Sequence, residues 1–386
     1  MIKANHFLDN LIQILDKNKK TIIVANKADL ILAKKTGLSE SIIQRLEFNE
    51  TAIKKTIKRM GDLKKFDSSA GEIMESMNLK NGLLLNKVRT AIGTIAIIYE
   101  SRPEVTLDAV CLCVKSGNKV VLKGGSEAIN TNLALIKCIQ QSLEKSGINK
   151  DWVKFIKNKK QFMDLIRMGK EIDLVIARGS YELVKAVTKQ SSVPVLAHSA
   201  GGARIYIDKS ADLDLAKKII INAKISKPSA CNSLDTILIH KDIDKFFKEN
   251  LVNELKTIGV KVLYSQWDKE FLDLAINIKM VNNIEDAVEF VKKYSKGHSE
   301  GIIAQDKAAI EKFVNSIDCA AVFINCSTRF HDGFEFGMGA EMGISTGKLH
   351  ARGPVGLKEL TTYRWEVYGQ GQIRTCQYNS NPGLEG

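Results

Sequence analysis

The sequence is poor in several patterns, and each shortage excludes a class of protein. No stretch approaches the roughly 18 to 20 apolar residues of a membrane span, and the opening MIKANHFLDN contains no apolar signal region. The seven cysteines are scattered and odd in number, without a Cys-x-x-Cys pair, and no histidines are paired at metal-ligand spacing. We therefore expect a cytoplasmic protein with reduced thiols, no membrane attachment and no metal site.

Blocks of like charge and interleaved aromatic residues are also missing. Lysine and arginine exceed aspartate and glutamate by 13, yet the excess is mostly lysine spread through amphipathic stretches such as KKTIKRMGDLKK. Aromatic residues make up only 6% of the chain. A basic balance without clusters favours small anionic substrates over nucleic acid.

The ordinary Rossmann fingerprint Gly-x-Gly-x-x-Gly follows none of the predicted strands. The chain nevertheless alternates strand and helix patterns, after a helical layer predicted over residues 1–80. One alternation runs from GTIAIIYES (93–101) to VPVL (193–196), and a second begins after Cys231 with TILIH. The sequence therefore predicts an α/β fold of two doubly wound parallel units, followed by a glycine-dense loop over 331–360.

Three loops after predicted strands carry polar groups that suit an anionic ligand. Lys123 ends the strand in VLKGGSEA, and Gly179 and Ser180 open a helix in VIARGSYELV. Ser101 and Arg102 follow the strand in IYESRPEVT, where a serine donates to an oxyanion and an arginine grips a phosphate or carboxylate. On spacing alone, each loop is explained equally well as an ordinary turn.

Cys231 stands in the polar loop SKPSACNS (226–233), which holds one of only five prolines in the chain. A cysteine used for packing usually has apolar neighbours, so this one is a candidate nucleophile, with an inert half-buried thiol as the alternative. No histidine is near it in sequence, so it would need a reactive electrophile such as an acyl phosphate.

Five separated motifs, in fixed order, carry a resemblance to a known family. They are AIGTIAIIYESRPEVTLDA, VVLKGGSEAINTNLAL, NAKISKPSACNSLDT, KGHSEGII and FGMGAEMGISTGKLHARGPVGLKELTTYRW. Together they resemble the gamma-glutamyl phosphate reductases (glutamate-5-semialdehyde dehydrogenases), a branch of the aldehyde dehydrogenase superfamily. The resemblance covers essentially the whole chain, from about residue 20 to residue 374.

The resemblance implies an aldehyde dehydrogenase-like fold with a cofactor domain, a catalytic domain and a small oligomerisation element. We expect the helical layer and dinucleotide-binding domain over 1–224, the catalytic domain over 225–355 and the oligomerisation tail over 356–386. The implied reaction is the NADPH-dependent reduction of L-glutamate 5-phosphate to L-glutamate 5-semialdehyde, the second step of proline biosynthesis. A homo-oligomer and a glutamate 5-kinase partner follow from the same resemblance.

The resemblance also implies roles for individual residues. Cys231 matches the superfamily nucleophile and Ser101 the oxyanion position. Lys123 and the Gly179–Ser180 turn match cofactor contacts, and Glu270 falls near the nicotinamide ribose. Three arginines are candidates for the substrate's phosphate and carboxylate, namely Arg102, Arg329 and Arg352.

This chain departs from the family pattern at several positions. The segment LAHSAGGAR (196–204) has no carboxylate where aldehyde-oxidising relatives carry a water-activating glutamate, which favours reduction over hydrolysis. Reductases of the family usually have Cys-His where this chain has Ala203 and Arg204, and Phe290 and Lys296 replace a histidine and a Ser or Thr.

Two other functions remain open from the sequence. One is a related dehydrogenase that acts on another acyl phosphate or aldehyde. The other is a basic nucleic-acid-binding protein on a retired enzyme fold, which would show salt-dependent binding to DNA or RNA.

Overall fold

The computed structural model describes residues 2–197 and 201–374. Three helices form the N-terminal layer: α1 (Ile2–Lys35), α2 (Glu40–Leu46) and α3 (Glu50–Lys64). Phe7, Leu11 and Ile22 of α1 are fully buried in the core of the first α/β unit. No described helix combines the length and apolarity that crossing a bilayer requires.

The helical layer ends earlier than the expected residue 80, because two strands follow it. These are β1 (Ile73–Asn78) and β2 (Leu84–Ala91), which pair as an antiparallel hairpin. Nearly all of β1 is exposed, so its side chains carry no burial pattern that would have distinguished a strand from a helix. The prediction of continuous helix was wrong here.

The first α/β unit is a parallel sheet of five strands in the order β5-β4-β3-β6-β7. Its elements are β3 (Thr94–Tyr99), α4 (Glu104–Ser116), β4 (Lys119–Lys123), α5 (Ile129–Lys145), β5 (Val153–Phe155), α6 (Lys159–Met168), β6 (Leu174–Arg178), α7 (Tyr181–Gln190) and β7 (Val195–Ala197). The strand order reverses between β3 and β6, which is where doubly wound sheets bind ligands at the carboxyl ends of their strands.

The second α/β unit is a parallel sheet of six strands in the order β10-β11-β9-β8-β12-β13. Its elements are β8 (Ala203–Ile207), α8 (Leu213–Ile225), β9 (Leu234–His240), α9 (Lys245–Thr257), β10 (Lys261–Leu263), β11 (Ala275–Val281), α10 (Ile284–Tyr294), β12 (Ser299–Ile303), α11 (Lys307–Ser316) and β13 (Ala321–Ile324). Because β8 pairs with β9 and β12, the chain changes sheet between Ala197 and Ala203, earlier than the boundary expected at residue 224.

The glycine-dense segment is largely irregular, as predicted, and contains only the short pair β14 (Ile344–Ser345) and β15 (Gly353–Pro354). After it, β16 (Thr361–Tyr368) adds to β2, giving the antiparallel sheet β1-β2-β16. This sheet is the place where the resemblance expects an oligomerisation element. The part of the predicted tail from 375 to 386 lies outside the described residues.

The two parallel sheets approach each other with opposite strand ends. Residues 100–102 and 179–180 follow the carboxyl ends of β3 and β6, whereas Gly201–Gly202 and Cys231 precede the amino ends of β8 and β9. The chain therefore brings its candidate nucleophile loop against the ligand-binding edge of the first sheet.

Candidate active site

A cavity of about 960 Å³ lies at this junction. Seven of the nine predicted site residues line it: Ser101, Arg102, Gly179, Ser180, Cys231, Glu270 and Arg329. The other two, Lys123 and Arg352, do not. The fold thus gathers residues from both α/β units, and from the N-terminal helices, around one site.

Cys231 is half-buried in the loop between α8 and β9. Its carbonyl oxygen accepts a hydrogen bond of 2.7 Å from the Gly202 amide. A Cβ on Gly201 would lie 2.6 Å from the Cys231 Cβ and 2.3 Å from its carbonyl oxygen, so no side chain fits there. The two glycines therefore allow β8 to begin in direct contact with the nucleophile loop.

The environment of the Cys231 thiol favours its protonated form. Burial raises its pKa to about 11, and the nearby carboxylates of Glu341 and Glu270 act in the same direction. The charges of Arg102 and Arg178 oppose this shift. As a nucleophile, Cys231 would need a group to accept its proton before or during attack.

Glu270 places a carboxylate beside the nucleophile. Its Oε1 and the Cys231 Cβ each lie 2.6 Å from the point that a Cβ on Gly201 would occupy, so the two atoms are within about 5 Å of each other. Burial, followed by the charge of Asp235, raises the Glu270 pKa to about 7. The sequence of the segment 196–204 contains no carboxylate, and its residues 198–200 lie outside the described residues. Glu270 brings a carboxylate to Cys231 from a different segment.

Glu341 is a second carboxylate in the cavity, and sequence reasoning missed it. It comes from the glycine-dense segment, and its Oε2 accepts a 3.0 Å hydrogen bond from the Gly333 amide. Burial raises its pKa to about 7, against the opposing charge of Arg178. The only sequence signal was the motif that contains it, because its spacing to Cys231 depends on the fold.

Ser101 has a left-handed backbone with φ 52°, which is unusual for a residue other than glycine. Its amide and its Oγ both donate to Glu127 Oε1, at 2.7 and 2.9 Å. Both of its donors therefore contact a carboxylate in this structure, and an oxyanion would compete with Glu127 for them. The oxyanion role of Ser101 stays a prediction.

The turn before α7 already holds an anion. Ser180 caps the helix, and its amide and Oγ donate to the Glu100 carboxylate at 2.6 and 3.2 Å. This carboxylate, from the end of β3, stands where a phosphate would be attracted by the helix N-terminus. The turn therefore binds a carboxylate of this chain, and its predicted role in holding cofactor phosphates stays a prediction.

Lys123 is buried beside the cavity at the end of β4. Its ammonium donates to the Gly124 carbonyl, and burial lowers its pKa while the charge of Glu127 raises it. Because Glu127 lines the cavity and Lys123 does not, a ligand would reach this lysine only at the edge of the site.

Five cationic side chains line the cavity: Arg45, Arg102, Arg178, Lys227 and Arg329. The side chains of Arg102 and Lys227 form no hydrogen bond or ion pair within the described part of the chain, although their carbonyl groups accept backbone hydrogen bonds. Burial and then repulsion from Arg102 lower the pKa of Arg45, Arg178 and Lys227. Unpaired and mutually repelling cations in one cavity suit a multiply charged anionic ligand.

Arg352 is placed elsewhere. It forms an ion pair of 2.5 Å with Asp318 and does not line the cavity. Sequence reasoning missed Arg45, Arg178 and Lys227, although Lys227 is only four residues before the nucleophile in its polar loop. No three metal-ligating side chains come together within the described ranges.

The departures from the family pattern lie together in the second α/β unit, outside the cavity lining. Arg204 is buried, with a 3.2 Å ion pair to Glu300, and donates to the Tyr294 carbonyl. Phe290 packs against Trp267 at 5.5 Å between ring centres, and Lys296 pairs with Asp268. These residues act on the cavity only through the elements that they hold together.

Comparison with known proteins places the chain. The aldehyde dehydrogenase family model matches residues 12–268. A gamma-glutamyl phosphate reductase of Petrotoga mobilis is 44% identical, covering 92% of this chain and 90% of that protein. One from Caldanaerobacter subterraneus subsp. tengcongensis is 41% identical, covering 96% and 94%. The chain belongs to the gamma-glutamyl phosphate reductase family.

Solved structures agree with this assignment. The crystal structure of gamma-glutamyl phosphate reductase from Thermotoga maritima has a TM-score of 0.93 and 40% identity, over 97% of this chain and 94% of that one. An acetylating aldehyde dehydrogenase from Geobacillus thermoglucosidasius shares the fold, with a TM-score of 0.71 over 97% and 93% at 16% identity. The predicted family and the aldehyde dehydrogenase-like α/β fold are confirmed.

Proposed function

We propose that this protein reduces L-glutamate 5-phosphate to L-glutamate 5-semialdehyde and phosphate, with NADPH as the reductant and Cys231 as the nucleophile. The observation that carries the proposal is a cavity in which a reachable cysteine stands among five cations, opposite the ligand-binding edge of a doubly wound sheet. Family membership supports the substrate, because the relatives carry the name of this reaction.

The charges in the cavity suggest how the substrate lies. The charges of Arg102, Arg178 and Arg329 all interact with the Cys231 sulfur. We assign the phosphate on the reacting carbonyl to Arg102 and Arg178, which come from the first α/β unit and face the nucleophile loop. Lys227 is part of the nucleophile loop. Arg329 lies beside this loop and donates hydrogen bonds to the side chains of Ser226 and Asn232. We assign Lys227 and Arg329 to the substrate's α-carboxylate.

Attack forms a γ-glutamyl thioester on Cys231, and phosphate leaves with the proton that the thiol gives up. The carboxylates of Glu270 and Glu341 have pKa values of about 7, so either can hold that proton near neutral pH. The Cys231 amide, with Ser101 once Glu127 releases it, would stabilise the oxyanion. Collapse of the reduced adduct releases the aldehyde and restores the thiol.

The residues of the first sheet fit a nicotinamide cofactor, which supplies the hydride when it is bound. The fit rests on the turn before α7, where Glu100 occupies the position of an anion on the Ser180 amide. Gly179 and Ser180 would hold the cofactor phosphates and Lys123 the ribose, with Glu270 at the nicotinamide ribose. NADPH rather than NADH follows from the family resemblance.

We also propose a cytoplasmic homo-oligomer that uses the sheet β1-β2-β16 as its contact, and a glutamate 5-kinase that supplies the acyl phosphate. The sheet has exposed aromatic residues on β16, with Tyr363 48% and Trp365 44% exposed. A mutation of Trp365 to Glu would dissociate the oligomer, as measured by light scattering, if this sheet forms the contact.

The function is tested by the reverse reaction on the purified protein. We expect NADPH to form only when glutamate semialdehyde, phosphate and NADP⁺ are all present. A screen of other aldehydes and acyl groups should give weaker rates. Faster turnover of a different aldehyde would replace the proposed substrate, and absence of all turnover would contradict the proposal.

A further inference from the structure

A buried ion pair closes the base of the loop that carries Cys231. Lys224 is in the last turn of α8 and Asp235 is the second residue of β9, so the pair joins the two elements between which the loop runs. Lys224 Nζ lies 3.4 Å from Asp235 Oδ1, and the side chains are 0% and 5% exposed. Neither residue lines the cavity, and the proposed reaction uses neither charge.

The same pair contacts the segment that supplies Glu270. The Lys224 ammonium lies 5.9 Å from the ring centre of Phe271, and the Phe271 amide interacts with the Asp235 carboxylate. Since Phe271 directly follows Glu270, its position limits where the Glu270 carboxylate can lie.

The pair also touches the glycine turn on the other side of the nucleophile. Asp235 Oδ2 lies 3.0 Å from the point that a Cβ on Gly202 would occupy. The Gly202 amide in turn donates to the Cys231 carbonyl. One buried carboxylate therefore contacts both segments that pack against Cys231.

Packing alone does not require these charges. Burying an ion pair costs desolvation, and apolar side chains of similar volume are often equally or more stabilising at such positions. Charges do, however, impose distances and directions that apolar contacts leave free.

We propose that the Lys224–Asp235 pair is a positioning device that fixes Glu270 and the Gly201–Gly202 turn against Cys231. The inference rests on the proposed function in taking Cys231 as the nucleophile. Both residues act through Glu270 and the nucleophile loop and do not touch the substrate.

The test uses a charge-balanced variant, because Asp235→Asn alone would leave the Lys224 charge buried and unpaired, and would test folding instead of position. The double variant Lys224→Met, Asp235→Leu removes both charges. Lys224→Met, Asp235→Asn also removes both and keeps the size of the second side chain, so it shows whether any effect comes from the larger leucine. The matched control is Arg204→Met, Glu300→Leu, which removes another buried ion pair from the same sheet. Thermal unfolding shows first that both variants fold.

The first measurement is the rate at which iodoacetamide alkylates Cys231 across neutral pH, followed on the peptide that contains it. The charges acting on the thiol include those of Glu341, Glu270, Arg102, Arg178 and Arg329, and those acting on Glu270 include Asp235 and Arg45. All proteins in this measurement carry Glu341→Gln, because Glu341 also acts on the thiol, has a pKa of about 7 and would flatten the profile in the same range. In that background, ionisation of Glu270 opposes thiolate formation and flattens the profile near its pKa of about 7. Glu270→Gln should abolish this flattening.

In the Glu341→Gln background, we expect the Lys224→Met, Asp235→Leu variant to reproduce the profile of Glu270→Gln and the control to keep the profile of the background protein. Loss of the Asp235 charge without movement of Glu270 would shift the flattened region to lower pH but retain it. A retained or merely shifted region would overturn the proposal. Alkylation needs neither substrate nor cofactor, so this result stands even if the reductase activity is disproved.

The second measurement is kcat. The double variant should lower kcat at least about tenfold with little change in the KM of the substrate, because a misplaced group slows the chemical step. In a Glu270→Gln background the same double substitution should add almost nothing, since both changes remove one effect. A full additional loss in that background, or an unchanged kcat, would contradict a positioning role.

Discussion

At the scale of single residues, the surroundings of Cys231 favour the protonated form of its thiol. Burial and two carboxylates raise its pKa to about 11, while two arginines act in the opposite direction. The thiol is therefore protected from indiscriminate reaction, and attack depends on proton acceptors in the cavity. Glu270, Glu341 and the departing phosphate can each accept the proton of the thiol.

Replacement of Cys231 by serine should abolish turnover and leave the fold and NADPH binding intact, because a hydroxyl is a far weaker nucleophile near neutral pH. Activity is measured in the reverse assay, and binding by quenching of NADPH fluorescence. Cys326→Ser is the matched control, since that half-buried cysteine lies outside the cavity lining. The other cysteines should likewise tolerate Ser or Ala, apart from packing costs. Activity above a few per cent in Cys231→Ser would remove this residue from the mechanism.

Lys123→Ala should raise the KM of the cofactor much more than that of the substrate, because a lysine at the edge of the cofactor site contributes mainly binding. Lys119→Ala, at the exposed start of the same strand, is the control and should change neither constant. If Lys123→Ala raises the KM of the cofactor and the KM of the substrate equally, the buried lysine is structural and holds the Gly124 turn.

At the scale of elements, the buried pair between β8 and β12 makes stability depend on pH. Burial raises the pKa of Glu300 to about 7, with the Arg204 charge opposing the shift. A carboxyl with a raised pKa binds its proton more tightly in the folded state, so it stabilises the protein at low pH. That contribution is lost as pH rises through about 7.

Glu300→Gln should therefore flatten the decline of unfolding free energy between the pKa of an unfolded glutamate and neutral pH. The change in slope is expected to approach about 1 kcal/mol per pH unit, whatever the overall loss of stability. Urea unfolding at a series of pH values measures it. Parallel curves for the wild type and the variant would show that Glu300 titrates normally.

Several elements that are buried on both faces were readable from the sequence, but burial alone did not make a strand recognisable. Runs rich in β-branched residues end at Tyr99 and at His240, and they correspond to the observed strands β3 and β9. The exposed β1 was taken for helix. The strands β8 and β11 were not predicted, although all residues of β8 and five of the seven residues of β11 are buried. Pattern alone does not separate short buried strands from neighbouring helix.

At the scale of the whole molecule, the site exists only where two sheets meet. The motifs identified Cys231, Ser101 and the turn before α7, because each stands at a strand end with a chemical reason to be there. Glu341, Arg178 and Arg45 could not be predicted, since they reach the cavity from three different parts of the chain. These residues line the cavity only because the carboxyl ends of the strands in one sheet face the amino ends of the strands in the other.

This arrangement determines whether phosphate or water receives the acyl group. Five cations favour phosphate in the cavity, whereas the two carboxylates with pKa values of about 7 could activate water. The segment 196–204, which supplies the base in aldehyde-oxidising relatives, has no carboxylate here. We expect the cations to prevail, because phosphate bound among them leaves little room for an ordered water beside the thioester.

Oxidation of glutamate semialdehyde by NADP⁺ should therefore require phosphate and proceed at least about tenfold more slowly without it. The measurement follows NADPH formation with and without phosphate at constant ionic strength, so that a change in salt does not imitate the effect. Glu270→Gln and Glu341→Gln are assayed in parallel. A rate independent of phosphate would mean that water reaches the thioester, and the variant that then loses the rate would identify its base. The protein would in that case be an aldehyde-oxidising dehydrogenase.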